Sequence, residues 1–273
     1  MTRTSESLKI RFINHLADNH RVDFFGVPVV DLEMDAFLKQ VEQHLLRRES
    51  THVVNLNPHH FLIAQRDEQF AQICHSGDIV FTDGIGIKFA SVLGDKFIQN
   101  RFTGLDLMKK VCALSSERGY SIFLLGGQHG IARQCADSLL REYPSLTIAG
   151  VNEPPFADSI EKYNNDEIIR QINVASPDVL FVALGAPKQE KWIEHFRTAL
   201  QVPILMGVGG SFDIIGGRLP RAPGWMRAAG LEWLFRMGIE PRRLAPRYLI
   251  GIPQFILQAL RLKLQSATDR RRS

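Results

Sequence analysis

Asp178-Val179-Leu180-Phe181-Val182-Ala183-Leu184-Gly185-Ala186-Pro187-Lys188-Gln189-Glu190 starts as an unbroken apolar run and ends in a small, then charged, loop. A strand with one wet face alternates apolar and polar residues. A continuous run is instead buried on both faces, as in a parallel sheet covered by helices. Four more runs read the same way: Thr51–Asn55, Ile79–Thr82, Ser121–Leu125 and Ile204–Gly207. Helix-period segments lie before and between them, at Asp35–Arg47, Pro58–Ser76, Leu105–Arg118, Ile131–Tyr143, Glu161–Ala175 and Glu190–Leu200. The pattern predicts an α/β fold, a mainly parallel sheet with helices on both faces.

Residues 1–22 are polar and mixed in charge, and are expected to be poorly ordered; a short apolar run, Val27–Val30, starts the regular pattern. Residues 23–217 read as one α/β body. From 218 to 273 the pattern changes to short helical pieces interrupted by Pro220, Pro223, Pro241, Pro246 and Pro253. This appendage holds eleven Arg and one Lys against three acids, a net +9, which leaves −5 for the rest of a chain of net charge +4. It is too small for a core of its own and must lean on the body, a second subunit or a membrane. A body cut free after Gly217 is expected to stay folded.

With 45% hydrophobic and 23% charged residues the 273-residue chain is no disordered or low-complexity protein. Its three cysteines, Cys74, Cys112 and Cys135, are odd in number and lack CxxC spacing. That argues against a disulfide framework and a thiolate zinc site. The apolar stretch Tyr248–Leu260 contains Pro253, Gln254 and Gln258 and is shorter than the ~18 residues a spanning helix needs. No secretory signal is recognisable, so a cytoplasmic location is expected.

In a parallel sheet, ligands gather where strands end and helices begin. The loops there are Asn55-Leu56-Asn57-Pro58, Asp83-Gly84-Ile85-Gly86, Gly126-Gly127-Gln128-His129-Gly130, Gly185 to Glu190, and Gly209-Gly210-Ser211-Phe212-Asp213. Together they suggest a ligand crevice. Asp83, flanked by Gly84 and Gly86, is the candidate base, able to take a hydroxyl proton if burial raises its pKa; an Asp capping its own turn fits equally. Asn55 and Asn57 could hold a sugar, or form an Asx turn ahead of Pro58. Gly126-Gly127 and Gly209-Gly210 could bring backbone N–H groups to an anion at a helix N-terminus, or be plain tight turns. No metal site and no cofactor are expected, since His59-His60 diverge and HExxH, Asp-x-Asp and P-loop patterns are missing. Arginines interleaved with Trp225, Trp233 and Phe235 suit a surface meeting phosphate and lipid together. Nucleic acid is the competing anionic partner. A dinucleotide-dependent oxidoreductase or a methyltransferase lacks its glycine fingerprint here.

The ordered set VVNLN, TDGIG, RFTGLDL, FLLGG, GAPKQEKW, GVGGSFDIIGG, RAPGW, GLEWLFR and EPRR closely resembles the WecG/TagA/CpsF family of bacterial glycosyltransferases over about residues 25–250. The resemblance implies a Rossmann-like body with a C-terminal appendage that completes the active site at the membrane. It implies inverting, metal-independent transfer from a UDP-sugar to a polyprenyl-diphosphate-linked saccharide, in cell-surface polysaccharide biosynthesis. N-acetylmannosamine, its uronic acid and glucuronic acid all suit such a donor. By the resemblance, Asp83 is the general base, Asn57 the Asn of a T-x-N motif whose Thr is here Asn55, and Gln189 the Gln of the PKQE segment that ends in Glu190. Asp213 lies near the nucleotide, and Arg221, Arg236, Arg242, Arg243 and Arg247 are basic positions of the appendage. Lys188, Arg101 and the appendage arginines are candidates to stabilise departing UDP. The expected setting is the inner face of the cell membrane, with an anionic lipid surface and no nucleic acid as partner; homo-oligomerisation stays open.

Overall fold

The computed structural model describes residues 20–93 and 96–269. Six parallel strands form the central sheet: β3 (Thr51–Leu56), β4 (Ile79–Thr82), β5 (Ser121–Gly126), β6 (Thr147–Asn152), β7 (Val179–Ala183) and β8 (Ile204–Gly207), in the spatial order β4-β3-β8-β7-β5-β6. A hairpin of β1 (Arg21–Phe24) and β2 (Val27–Val30) precedes it as a separate two-stranded sheet. The expectation for residues 1–22 therefore falls outside the described residues except at its end, where Arg21 and Val22 are paired in β1. From β3 the chain steps outward to β4, crosses to β5 and β6 at the far edge, and fills the centre with β7 and β8.

The helices are α1 (Met34–Arg47), α2 (Pro58–Ala64), α3 (Glu68–Ser76), α4 (Ile85–Ser91), α5 (Gly104–Arg118), α6 (Ile131–Glu142), α7 (Asn165–Ala175), α8 (Lys188–Phe196) and α9 (Ser211–Ile215) in the body. The appendage carries α10 (Gly224–Ala228), α11 (Glu232–Ile239), α12 (Pro241–Ala245), a π-type turn at Pro246–Ile250 and α13 (Gly251–Asp269).

Alternate strand residues point to opposite layers, which is why the runs are continuous. Phe181 packs with Phe37 of α1, Met108 of α5 and Leu139 of α6. Its neighbours Leu180 and Val182 pack with Ile172 of α7 and Trp192 of α8. Beside that second layer, Val54, Leu56 and Val80 join Phe61 of α2, Ile73 of α3 and Ile87 of α4. Phe255 and Ala259 of α13 complete this group. The appendage thus contributes to the body's own core.

Candidate active site

The ends of β3 and β4 hold the central group. Asn55, the penultimate residue of β3, donates from Nδ2 to Asp83 Oδ2 at 3.1 Å. Asp83 follows β4 directly, and its backbone N–H continues the ladder to the Leu56 carbonyl at 2.9 Å. Burial pushes the Asp83 carboxyl above its ordinary pKa, against hydrogen bonds from Asn55 and the Gly104 N–H and against Arg236 and Arg247. The backbone of Asn55 is itself held, its carbonyl accepting from His60 Nδ1 at 2.6 Å. Burial, aided by Arg247 and His59, keeps His60 neutral, with a pKa of about 3. Asn55 Oδ1 is buried with no hydrogen-bond partner among the described residues. Asn57 Oδ1 caps α2, accepting from the N–H groups of His59 and His60, both at 3.0 Å. Gly84 takes a positive φ of 88°, which frees the chain to turn into α4; Gly86 leaves room for Pro58, whose Cγ lies 2.8 Å from where a Cβ would stand.

The appendage closes over this group. Arg247 donates to Asn57 Oδ1 at 3.4 Å. The Arg236 guanidinium lies 3.3 Å from the Cβ position of Gly210, in the loop after β8. Arg101 is half-buried in a segment whose next residue, Phe102, hydrogen-bonds the Thr82 carbonyl at 3.4 Å, and it makes no hydrogen bond or ion pair among the described residues. The body thus supplies the Asp83 carboxylate, and the appendage brings two cations to it, Arg236 and Arg247.

The sequence profile described as Glycosyl transferase WecG/TagA/CpsF family matches residues 22–269. The chain belongs to this family of glycosyltransferases. A relative from Bacillus subtilis (strain 168), an N-acetylglucosaminyldiphosphoundecaprenol N-acetyl-beta-D-mannosaminyltransferase, is 30% identical over 86% of this chain and 90% of its own. The protein of the same name from Staphylococcus aureus (strain NCTC 8325 / PS 47) is 25% identical over 92% of this chain and 96% of its own.

For a glycosyltransferase of this family, several side chains stand elsewhere than the motifs imply. Gln189 is 3% exposed: its Oε1 accepts from the N–H groups of Gly185 at 3.2 Å and Gly209 at 3.1 Å, and its Nε2 donates to Glu190 Oε1 at 2.7 Å. It straps together the loops after β7 and β8. Glu190, 1% exposed, is pushed by burial up to about 7 and backs that strap from inside. Lys188 turns outward to the segment after β6, donating to the Ala157 carbonyl and lying 4.6 Å from the Phe156 ring centre.

The glycine loop after β5 also differs from a free anion site. Gly126, at φ 105°, lies so close to Ala183 that a Cβ would be 2.6 Å from the Ala183 carbonyl. The N-terminus of α6 is already occupied by a carboxylate: Glu153 accepts from the N–H groups of Gly130 at 2.8 Å, Ala132 at 2.6 Å and Arg133 at 3.1 Å. Gly127 has its N–H on the Ala183 carbonyl at 3.1 Å.

Asp213 pairs with Arg218 at 2.7 Å, and burial raises its pKa. Arg221 pairs with Asp106 of α5, Arg243 with Glu240, and Arg242 is exposed. Of the five expected appendage arginines, Arg236 and Arg247 are the two that reach the carboxylate. Trp225 is 67% exposed, but Trp233 and Phe235 are half-buried, Trp233 lying against Tyr248 at 5.6 Å between ring centres. The exposed apolar stripe runs instead through Leu249, Ile256, Leu257, Leu260 and Leu264. Two acids escaped the sequence reading: Glu153, which only the fold brings to α6, and Glu232, whose signal is an acid inside the basic appendage. Among the described residues no group of three or more His, Cys, Asp or Glu side chains comes together to hold a metal ion, and no helix is long and apolar enough to cross a membrane.

Proposed function

We propose that this glycosyltransferase moves N-acetylmannosamine, or a uronic acid relative, from a UDP-sugar to a saccharide carried on a polyprenyl diphosphate, with inversion and without a metal ion. The observation that carries the reading is the Asp83 carboxylate, raised in pKa by burial, oriented by Asn55 and faced by Arg236 and Arg247. Asp83 takes the proton of an acceptor hydroxyl. The hydroxyl oxygen then forms its bond to the anomeric carbon on the face opposite UDP, whose phosphate oxygen departs with the bonding pair. Cationic donors aimed at developing charge are the usual stabilisers of such a step. Arg236 and Arg247, which act on the carboxylate, and Arg101, which makes no hydrogen bond or ion pair among the described residues, take this role in place of Lys188 and the N-terminus of α6.

The named relatives act on an undecaprenol-diphosphate-linked sugar, which supports the acceptor class. The α13 stripe with Arg261 nearby suits the surface of an anionic leaflet, where each basic residue contributes about 1 kcal/mol. The test is UDP release from UDP-N-acetylmannosamine, UDP-N-acetylmannosaminuronate and UDP-glucuronate, each with a short-chain prenyl-diphosphate N-acetylglucosamine and excess EDTA. Acceptor-dependent release in EDTA is expected. Activity lost to EDTA and restored by magnesium or manganese would overturn the metal-free step, and activity with none of these donors would overturn the substrate class.

A further inference from the structure

Glu232 opens α11 and is half-buried in a region otherwise rich in arginine. Two residues before it, Gly230 is seated on Ile85: a Cβ there would lie 3.3 Å from the Ile85 side chain. Ile85 is two positions beyond Asp83, so this turn sets the start of α11 against the loop of the base. Glu232 and Arg236 are four apart on one helix and share a face, and the Arg236 guanidinium reaches across to Gly210. No hydrogen bond or ion pair closes on Glu232 among the described residues. Arg221, the basic residue from outside α11 whose charge acts on it, is committed to Asp106. Burial raises the Glu232 pKa, with Asp83 and Asp106 adding to the rise and Arg221 and Arg236 opposing it.

An unpaired carboxylate on the wall facing a general base is selective about what it admits. It repels diphosphate, so it cannot serve the leaving group or the lipid diphosphate. A neutral ring carrying several hydroxyls can donate to both carboxylates at once and relieve their repulsion. We propose that Glu232 binds the sugar ring of the acceptor, accepting hydrogen bonds from hydroxyls beside the one that Asp83 deprotonates. Arg236, one helical turn further on, is left for phosphate. The inference rests on the reading of Asp83 as base and of the acceptor as a lipid-linked saccharide.

The test uses the full chain with whichever of the three UDP-sugars supports turnover and short-chain prenyl-diphosphate N-acetylglucosamine. In Glu232→Gln, the KM for the acceptor should rise about tenfold, the loss of one charge-assisted hydrogen bond, while the KM for the donor stays within about twofold. If Glu232→Gln melts early, Glu232→Asp keeps the charge at the start of the helix but retracts it by one methylene, and the same acceptor-specific rise is expected. A wild-type chain with no acceptor-dependent UDP release from any of the three UDP-sugars defeats the functional reading, and this inference with it. An active wild type whose variants keep their acceptor KM, or raise both KM values together, overturns the role of Glu232 alone.

Discussion

At the scale of single residues, Asp83 shows how a site can oppose its own fold. Its carboxylate form is disfavoured by burial, so the folded chain holds the proton to higher pH than the unfolded chain does. Stability is therefore lost as pH rises from the unfolded to the folded pKa, and the penalty is fully present above the folded pKa. The deprotonated form is the one that can act as base, so the rate should fall, as pH drops, through a pKa above the ordinary carboxylate value near 4. Asp83→Asn should lower turnover by about 10²–10⁴-fold, the range of general-base contributions, keep UDP binding within a few fold, and melt no earlier than wild type. A variant with more than about a tenth of the wild-type rate would rule out the base. Asp83 was legible in the sequence because a carboxylate directly after an apolar strand has nowhere to go but the strand end. Gln189 and Lys188 were not: their backbone positions were read correctly, but long side chains leave a loop in directions set by partners such as the Gly209 N–H and the Ala157 carbonyl, far away in sequence.

Elements were legible to the extent that they are buried on both sides. β3, β4, β5, β7 and β8 appear close to where their apolar runs end. β6 gives no such run because, unlike the covered edge strand β4, it has every residue exposed or half-exposed, and its Gly150 faces the Phe123 ring, where a Cβ would not fit. The single helical pattern over Pro58–Ser76 is two helices, because Asp67 caps a new start by accepting from the Phe70 N–H at 3.0 Å. The short helix α4 was hidden by the glycines that open it. The start of α6 depends on β6 for its cap, since Glu153 follows that strand and supplies the acceptor for three N–H groups. Glu153→Ala leaves those donors unpaired at the positive end of the helix and should destabilise the chain by about 1–2 kcal/mol, read as a shift in urea midpoint with unchanged slope. A melting curve equal to wild type would mean that water replaces the carboxylate without loss.

At the scale of the whole molecule, the question is whether body and appendage are separable. The sequence suggests that they are, because a basic, proline-broken segment holds no core. The structure shows that α13 completes one instead. Phe255, 2% exposed, meets Phe61 edge-on at 5.4 Å between ring centres, and Phe61 in turn meets Phe24 of the hairpin at 5.6 Å. Ending the chain after Gly217 removes Phe255, Ala259 and Leu244 and opens the apolar layer over Phe61 and Ile87 to water. That truncation should therefore bind a hydrophobic dye and aggregate, not behave as a free-standing body. Phe255→Ala isolates the effect while keeping every charge. Deleting a buried ring of this size costs about 3–5 kcal/mol, a large share of a typical domain's stability. Since the same packing holds Arg247 against Asn57, turnover should fall in parallel with loss of the folded form as temperature rises. Arg247→Ala leaves the core untouched and should lower turnover at temperatures where the chain stays folded. If Phe255→Ala melts within a few degrees of wild type, α13 is an attachment and not part of the fold, and the truncated body should then be soluble after all.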